Sequence, residues 1–470
     1  MNSVPRSPLA AVLIVVAAAA LCGRIMAVDS VDRLALEHYL YQKGRPDWQR
    51  TRPFLSANDR SRWATVRALV EHGTYAIDDV VSQPGWDTID MVQHRGRDGE
   101  LHLYSSKPPL LATLLAGFYW VIVHTTGATL GTYPYEVGRT LLVVANLVPL
   151  VIYLVLLSRL AERLTKSEWS RMFLVAAAGF GTFITTFAVS LNNHTLAAVC
   201  VAALLACLVP IWYDGRRELR LFFGAGLFAA LAAACELPAL ALTGLAGLAL
   251  LWKAPKQTLL AGAPAALLVA AAALGTNYAA HGEFRTAYSH RKVTDTGLVE
   301  SDDDWYLFTY LRDGKPRQSY WHDPVGVDRG EPSQARYVFH STFGHHGIFS
   351  LTPIWLLSVW GLGLWLCDPQ RRALAAMIAV VSIVCFVFYM MLPAFDRNYG
   401  GVTSGLRWMF WFAPLWLVGL LPAVDRMSEC RWGRGISLGL LAVSVFSATY
   451  PTWNPWTQPW LENFVEYLAM

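Results

Sequence analysis

Between Ser56 and Leu110 the chain gathers residues able to do polar chemistry. Asp59 is followed by Arg60, Arg62 and Arg67, and further on Tyr104-Ser-Ser-Lys107-Pro-Pro-Leu110 stands directly ahead of an apolar run. One carboxylate among several cations suits a reaction on an anionic, lipid-linked substrate. Transfer of a group onto a hydroxyl needs a carboxylate to take or orient the acceptor's proton, which makes Asp59 the candidate base. Lys107 and the arginines, Arg62 among them, suit phosphate, whose paired oxygens match a guanidinium fork and whose charge matches an ammonium. The plainer readings are that Asp59 caps the helix that follows, with Asn58 sharing the role, and that Lys107 is a snorkelling lysine at a helix start.

Other polar points interrupt apolar sequence. Asn193 and His194 break an apolar hairpin, and an ionisable residue at that depth is a functional hypothesis by default. His194 suits a metal, a phosphate or a sugar hydroxyl, whereas Asn192-Asn-His194 as a plain turn is the bland alternative. Asn398-Tyr-Gly-Gly401, Gly405 and Arg407 precede another apolar run; the glycines would let backbone approach a ligand while Arg407 reaches a phosphate. His340, His345 and His346 make a poor metal set, since adjacent side chains diverge and no carboxylate accompanies them. Asp302-Asp-Asp304 reads as a solvated face, with calcium as the alternative.

The elements that must position these residues are membrane helices. With 54% hydrophobic and 15% charged residues over 470, and a mean hydropathy of +0.35, the chain is more apolar than a soluble core requires. The net charge of +4 is spread over loops, which fits positive-inside bias and gives no nucleic-acid patch. Six of the seven cysteines fall in apolar runs and Cys430 in a short basic loop, so neither long polar loop carries a disulfide framework or zinc spacing.

The expected organisation is a first transmembrane helix at 1–27 acting as an uncleaved anchor, with Arg6 ahead of it and Arg24 near its end; a cleaved signal peptide is the alternative. An outer catalytic loop follows at 28–107, a helix bundle at 108–278, a second outer loop at 279–346, further membrane helices at 347–450 and a Trp/Pro-rich tail at 451–470. Within the first loop, Arg60 to Val70 is expected to be an interfacial helix presenting Asp59 at its start. Apolar runs lie at 9–21, 109–126, 138–160, 170–190, 193–212, 220–235, 238–252, 257–277, 347–367, 371–393, 406–424 and 435–450. Arg159/Arg163/Lys166/Arg171, Arg216/Arg217/Arg220, Lys253/Lys256, Arg371/Arg372 and Arg426/Arg431/Arg434 mark the cytoplasmic side. The fold class is therefore all-α and polytopic, with 11–13 transmembrane helices and two long extracytoplasmic loops carrying interfacial helices. This leaves a parity conflict at 108–137, which must begin and end outside with one good span. That run is re-entrant, or it hides a short helix, or 220–252 is one broken helix and the middle orientations reverse.

Several motifs resemble those of the C-type-fold membrane glycosyltransferases, the group of protein O-mannosyltransferases and lipid A aminoarabinose transferases. Asp59-Arg-Ser-Arg-Trp-Ala64 resembles that group's Asp-Glu-x-Arg-Tyr-Ala element, and Tyr104-Ser-Ser-Lys107-Pro-Pro-Leu110 its Tyr-x-x-Lys-Pro-Pro-Leu element. Tyr135-Glu-Val-Gly-Arg139 resembles the Glu-x-x-x-Arg-type turn, and Tyr399-Gly-Gly to Arg407, then Pro414, the Gly-Gly-x-x-x-Gly-Pro-Arg-Tyr pattern. The resemblance implies transfer of a sugar from a polyprenyl-phosphate-linked donor, held in membrane lipid, to an extracytoplasmic acceptor: protein, lipid or glycan. It implies Asp59 as base, Lys107 and Arg407 on the phosphate side, with Arg62, Tyr104, Asn193 and His194 as further substrate-binding candidates, in a cell (cytoplasmic, inner) membrane. Two positions depart from the pattern. Arg60 replaces a second acidic residue, and Asn193-His-Thr-Leu196 replaces Pro-Asp-Ala-Leu. Carboxylates there would bind metal or acceptor, so a divalent metal ion is the one cofactor in question. A membrane carrier and a catalytically inactive envelope-assembly member of the same fold are the rival readings.

Overall fold

Each apolar run expected to cross the membrane forms helix in the computed structural model, which describes residues 8–33, 52–294, 297–312 and 314–470. Arg6 lies outside the described residues. Seven helices are long and apolar enough to span: Pro8–Met26, Pro109–Thr126, Pro134–Leu164, Glu168–Val189, Asn193–Tyr213, Pro255–His281 and Arg372–Met390. Arg407–Gly419 and Leu421–Ser428 make a further pair bent by 44°, and Leu219–Cys235, Leu237–Lys253 and Trp355–Cys367 are shorter apolar helices. Arg431–Thr449 follows the bent pair. The protein is a multi-pass, all-α membrane protein, and sheet is confined to three two-stranded pieces among the described residues.

Contacts between loops define two ends of the bundle. At one end Arg163 pairs with Asp214, Thr165 donates to Asp425, Lys253 lies 5.3 Å over the Trp212 ring and Arg371 lies 4.4 Å over the Tyr213 ring. These are the basic loops. At the other end Arg24 donates to the Thr185 and Thr186 carbonyls, both at 3.1 Å. There too Arg139 donates twice to the Val28 carbonyl, at 2.8 and 2.6 Å. A π turn at Val143–Leu147 brings Asn146 inward, where its amide donates to the Ala188 and Ser190 carbonyls at 2.8 and 2.9 Å.

The platform at this second end is built on the helix Ala57–Glu71, capped by Ser56, whose hydroxyl accepts from the Asp59 N–H at 3.0 Å. Ten consecutive residues, Asp59 to Ala68, are buried, so the helix is enclosed rather than lying open on one face. Phe54 stacks on Trp63 with ring centroids 4.6 Å apart. The hairpin Met91–Arg95 with Leu101–Ser105 pairs Met91 with Ser105 and His94 with His102, and Ser105 joins Ser61 of the platform at 2.6 Å.

At 108–137, where the parity conflict lies, one helix, Pro109–Thr126, is long and apolar enough to span. Pro109–Thr126 runs beside the platform helix: Thr113 meets Tyr75 at 2.9 Å, and Tyr119 donates to Glu71 at 2.5 Å. The returning chain stays at the same end, since the Leu130 N–H donates to the Tyr119 hydroxyl at 2.7 Å and Arg139 holds Val28. Leu114, Phe118, Trp120 and Val121 remain exposed on the helix, an apolar face suited to the lipid boundary.

Candidate active site

The hairpin places Asp90 and Lys107 at its open end. There Lys107 Nζ lies 2.7 Å from Asp90 Oδ1 and 3.5 Å from the Tyr288 hydroxyl. Burial raises the Asp90 pKa, but the Lys107 ammonium, with Arg62 and Arg407 behind it, outweighs that and holds it below the ordinary carboxylate value.

Arg62 projects from the platform helix one turn beyond Asn58. Its Nη1 donates to Asn58 Oδ1 at 2.6 Å and to the Asn58 carbonyl at 3.0 Å, and its Nε to Asn193 Oδ1 at 3.2 Å. Asn192 caps the Asn193–Tyr213 helix, which leaves Asn193 and His194 free to face the platform. Asn193 donates onward to the Cys235 carbonyl at 3.1 Å, and His194 Nδ1 lies 2.6 Å from Glu236 Oε1. On its other side His194 Nε2 lies 2.9 Å from Arg407 Nη1.

Arg407 is held by the loop before it. Its Nε donates to the Gly400 carbonyl at 2.9 Å, Nη2 donates to the same oxygen, and the guanidinium stands 4.8 Å over the Trp456 ring. Gly400 has φ +101°, and a Cβ there would stand 3.0 Å from Arg407 Cβ. The glycine thus brings backbone to Arg407 itself. Tyr399 ahead of it has φ 57°, a left-handed value for a non-glycine residue.

Asp59 sits one step aside, wholly enclosed. Oδ1 accepts from the Leu191 N–H at 2.8 Å, and Oδ2 is buried with no hydrogen-bond partner. Burial pushes its pKa up to about 7, against the opposing pull of the Leu191 N–H and then of Arg62 and Arg60. The cap of the helix is Ser56, so neither Asp59 nor Asn58 is spent on that role.

Arg62, Lys107, Asn193, His194 and Arg407 converge, and Asp59 lies beside them. Tyr104 does not join them. It stacks on His94 at 4.1 Å, within an aromatic group that includes His281 and Trp305. Arg60, which stands where the resembled motif has an acidic residue, is held by backbone: its Nε donates to the Asp87 carbonyl at 2.7 Å and its Nη1 to the Pro53 carbonyl at 3.1 Å. Asp90, Glu236, Tyr288 and Trp456 are the site residues that sequence reading passed over. Glu236 had a signal, as a lone carboxylate between two apolar runs. Asp90 had none, being one of several acidic residues in its loop.

Residues 108–311 match the sequence model of glycosyltransferase family 87. By sequence, none of the curated proteins compared with the chain matches it. Among solved structures it is similar to the Archaeoglobus fulgidus oligosaccharyltransferase in complex with Zn and sulfate, at TM-score 0.51 and 11% identity, over 95% of this chain and 53% of that one. The apo form of that enzyme superposes at TM-score 0.43 and 11% identity, over 94% and 55%. The chain thus spans about half the length of the oligosaccharyltransferase it matches. The family match covers residues 108–311, less than half of the chain, and the likeness at 11% identity shows a shared fold.

Proposed function

We propose that the protein transfers a sugar from a polyprenyl-phosphate donor to an acceptor on the extracytoplasmic side of the cell membrane. One observation carries the reading. Arg62, Lys107 and Arg407 come from separate segments to one end of the bundle, beside carboxylates at Asp59, Asp90 and Glu236. Three cations at the lipid boundary suit a phosphodiester donor, and exposed Leu237 next to Glu236 suits its polyprenyl tail. The donor is already activated, so the protein's task is to hold the leaving phosphate and deprotonate the acceptor. Attack of the acceptor hydroxyl on the anomeric carbon breaks the sugar–phosphate bond with inversion. Lys107, Arg62 and Arg407 take up the charge on the departing phosphate, and Asp59 takes the acceptor's proton.

A second reading gives the proton to Asp90. It is favoured by exposure: the Asp90 side chain is 13% accessible, whereas Asp59 is fully enclosed. The deciding experiment offers a panel of radiolabelled polyprenyl-phosphate sugars and envelope acceptors to purified protein in lipid, wild type beside Asp59→Asn and Asp90→Asn. Transfer that collapses in Asp59→Asn supports Asp59 as base, and collapse in Asp90→Asn alone moves the role to Asp90. A folded wild type that neither binds nor consumes any donor rejects the transferase and turns attention to carrier flux.

A further inference from the structure

Behind the loop that holds Arg407, three ligating groups converge that the reaction above does not use. His345 Nδ1 and His346 Nδ1 lie 2.5 Å apart, and Glu462 Oε2 lies 3.7 Å from each. The expectation that adjacent histidines diverge fails here. The turn Gly344–Gly347 folds their rings towards each other, with centroids 4.7 Å apart at 77°. The expectation that no carboxylate accompanies them fails as well, because Glu462 arrives from the helix Trp460–Ala469, far along the chain.

The cluster is poorly satisfied by hydrogen bonding alone. Glu462 Oε2 is buried without a partner, and 3.7 Å is too long for a hydrogen bond to either ring. The His346 ring is buried, and it also hydrogen-bonds the Thr403 backbone, the kind of outer contact that orients a ligating imidazole. Two ring nitrogens at 2.5 Å share at most one proton. His340 stacks on His345 at 3.9 Å and steadies it from outside.

We propose that His345, His346 and Glu462 form a divalent-cation site of the zinc class that fastens the C-terminal helix to the loop carrying Arg407. Two imidazoles and one carboxylate are a donor set that suits zinc, with water completing a tetrahedron. The three ligand atoms lie within 4.8 Å of one another. Metal–ligand bonds of about 2.0–2.2 Å put tetrahedral neighbours a little over 3 Å apart, so the two histidine nitrogens move apart by roughly 1 Å on binding. His345 is only partly covered, which provides an access route. The site braces the reacting end through short links. The His346 carbonyl accepts from the Leu406 N–H at 3.2 Å, and its ring stacks on Tyr399 at 4.3 Å, next to Gly400. This inference stands apart from the sugar-transfer reading.

The test uses the full-length protein carrying no histidine tag, stripped with a chelator and titrated with Zn²⁺ by calorimetry and with Co²⁺ by visible absorption. The expected result is one equivalent bound, a tetrahedral cobalt spectrum displaced by zinc, and a higher Tm with metal. Glu462→Gln and His345→Ala, checked for unchanged helicity, should bind at least about 100-fold more weakly. Absence of a cobalt spectrum in the folded wild type overturns the proposal, and so does a wild-type spectrum that both variants keep. Because the first readout needs only the wild type, a variant that fails to fold leaves the test intact.

Discussion

Lys107 Nζ rests 2.7 Å from Asp90 Oδ1, and the hairpin register that pairs Met91 with Ser105 is what sets them side by side. The lysine is therefore neutralised at rest, and a donor phosphate has to share it. Lys107→Met should raise the donor KM by about 10- to 150-fold, the range for losing one hydrogen bond to a charged group, with Lys107→Arg recovering part of it. Steady-state kinetics with varied donor reads this directly. An unchanged KM in a folded Lys107→Met protein removes the lysine from the phosphate site.

Asp59 carries a pH signature. Its carboxyl is raised by burial from 3.8 to about 7, so between those values the native state keeps a proton that the unfolded chain releases. Stability contributed by this group is present below about pH 4 and is lost as pH rises towards about 7. Activity runs the other way, because a base must be ionised; kcat/KM should climb with pH up to about 7 and then level off. Asp59→Asn should flatten the stability change across that window while cutting kcat by about 10²- to 10⁴-fold. Thermal unfolding and rate measurements over pH 4–8 test both. A variant that keeps the wild-type rise in rate shows that the limb belongs to another group.

The transmembrane order was legible in sequence because each span is a long apolar run, and its twelve segments all recur as helices. The platform helix was legible too, with Asp59 in its first turn. Three things were not. The Asp90–Lys107 pair depends on hairpin register, which no local pattern around Asp90 announces. The packing of Pro109–Thr126 against the platform helix depends on Tyr119 finding Glu71, a contact that the apolar run at 109–126 does not announce. Glu462 of the proposed cation site comes from a tail read only as Trp/Pro-rich, and Trp456 of that tail turns inward beneath Arg407.

Gly400 is the point where backbone freedom and the site meet. Its φ of +101° disfavours any L side chain, and a Cβ would press on Arg407. Gly400→Ala should cost about 1–3 kcal/mol of strain and displace the carbonyl that receives two Arg407 donors. The expected outcome is a large loss of kcat/KM with a small fall in Tm. Gly401→Ala is the control, since it shares the positive φ but its Cβ would meet only Asp328 Oδ1 at 3.7 Å. Equal losses from the two variants would mean that loop strain, and not the grip on Arg407, is what activity feels.

Glu236 meets the reacting end at His194, which it approaches at 2.6 Å while the far side of the ring meets Arg407. Two consequences separate a positioning role from a purely structural one. Glu236→Gln keeps volume but weakens the hold on His194 Nδ1, so Arg407 should lose orientation more than the helices lose packing. The donor KM should therefore rise about 10-fold or more, the scale of one hydrogen bond to a charged group, with Tm moving little. His194→Ala should raise KM at least as far, and adding Glu236→Gln to it should change KM no further, because the carboxylate then has no ring to act through. Additive losses in that double mutant, measured by donor kinetics, would mean Glu236 contacts the substrate directly.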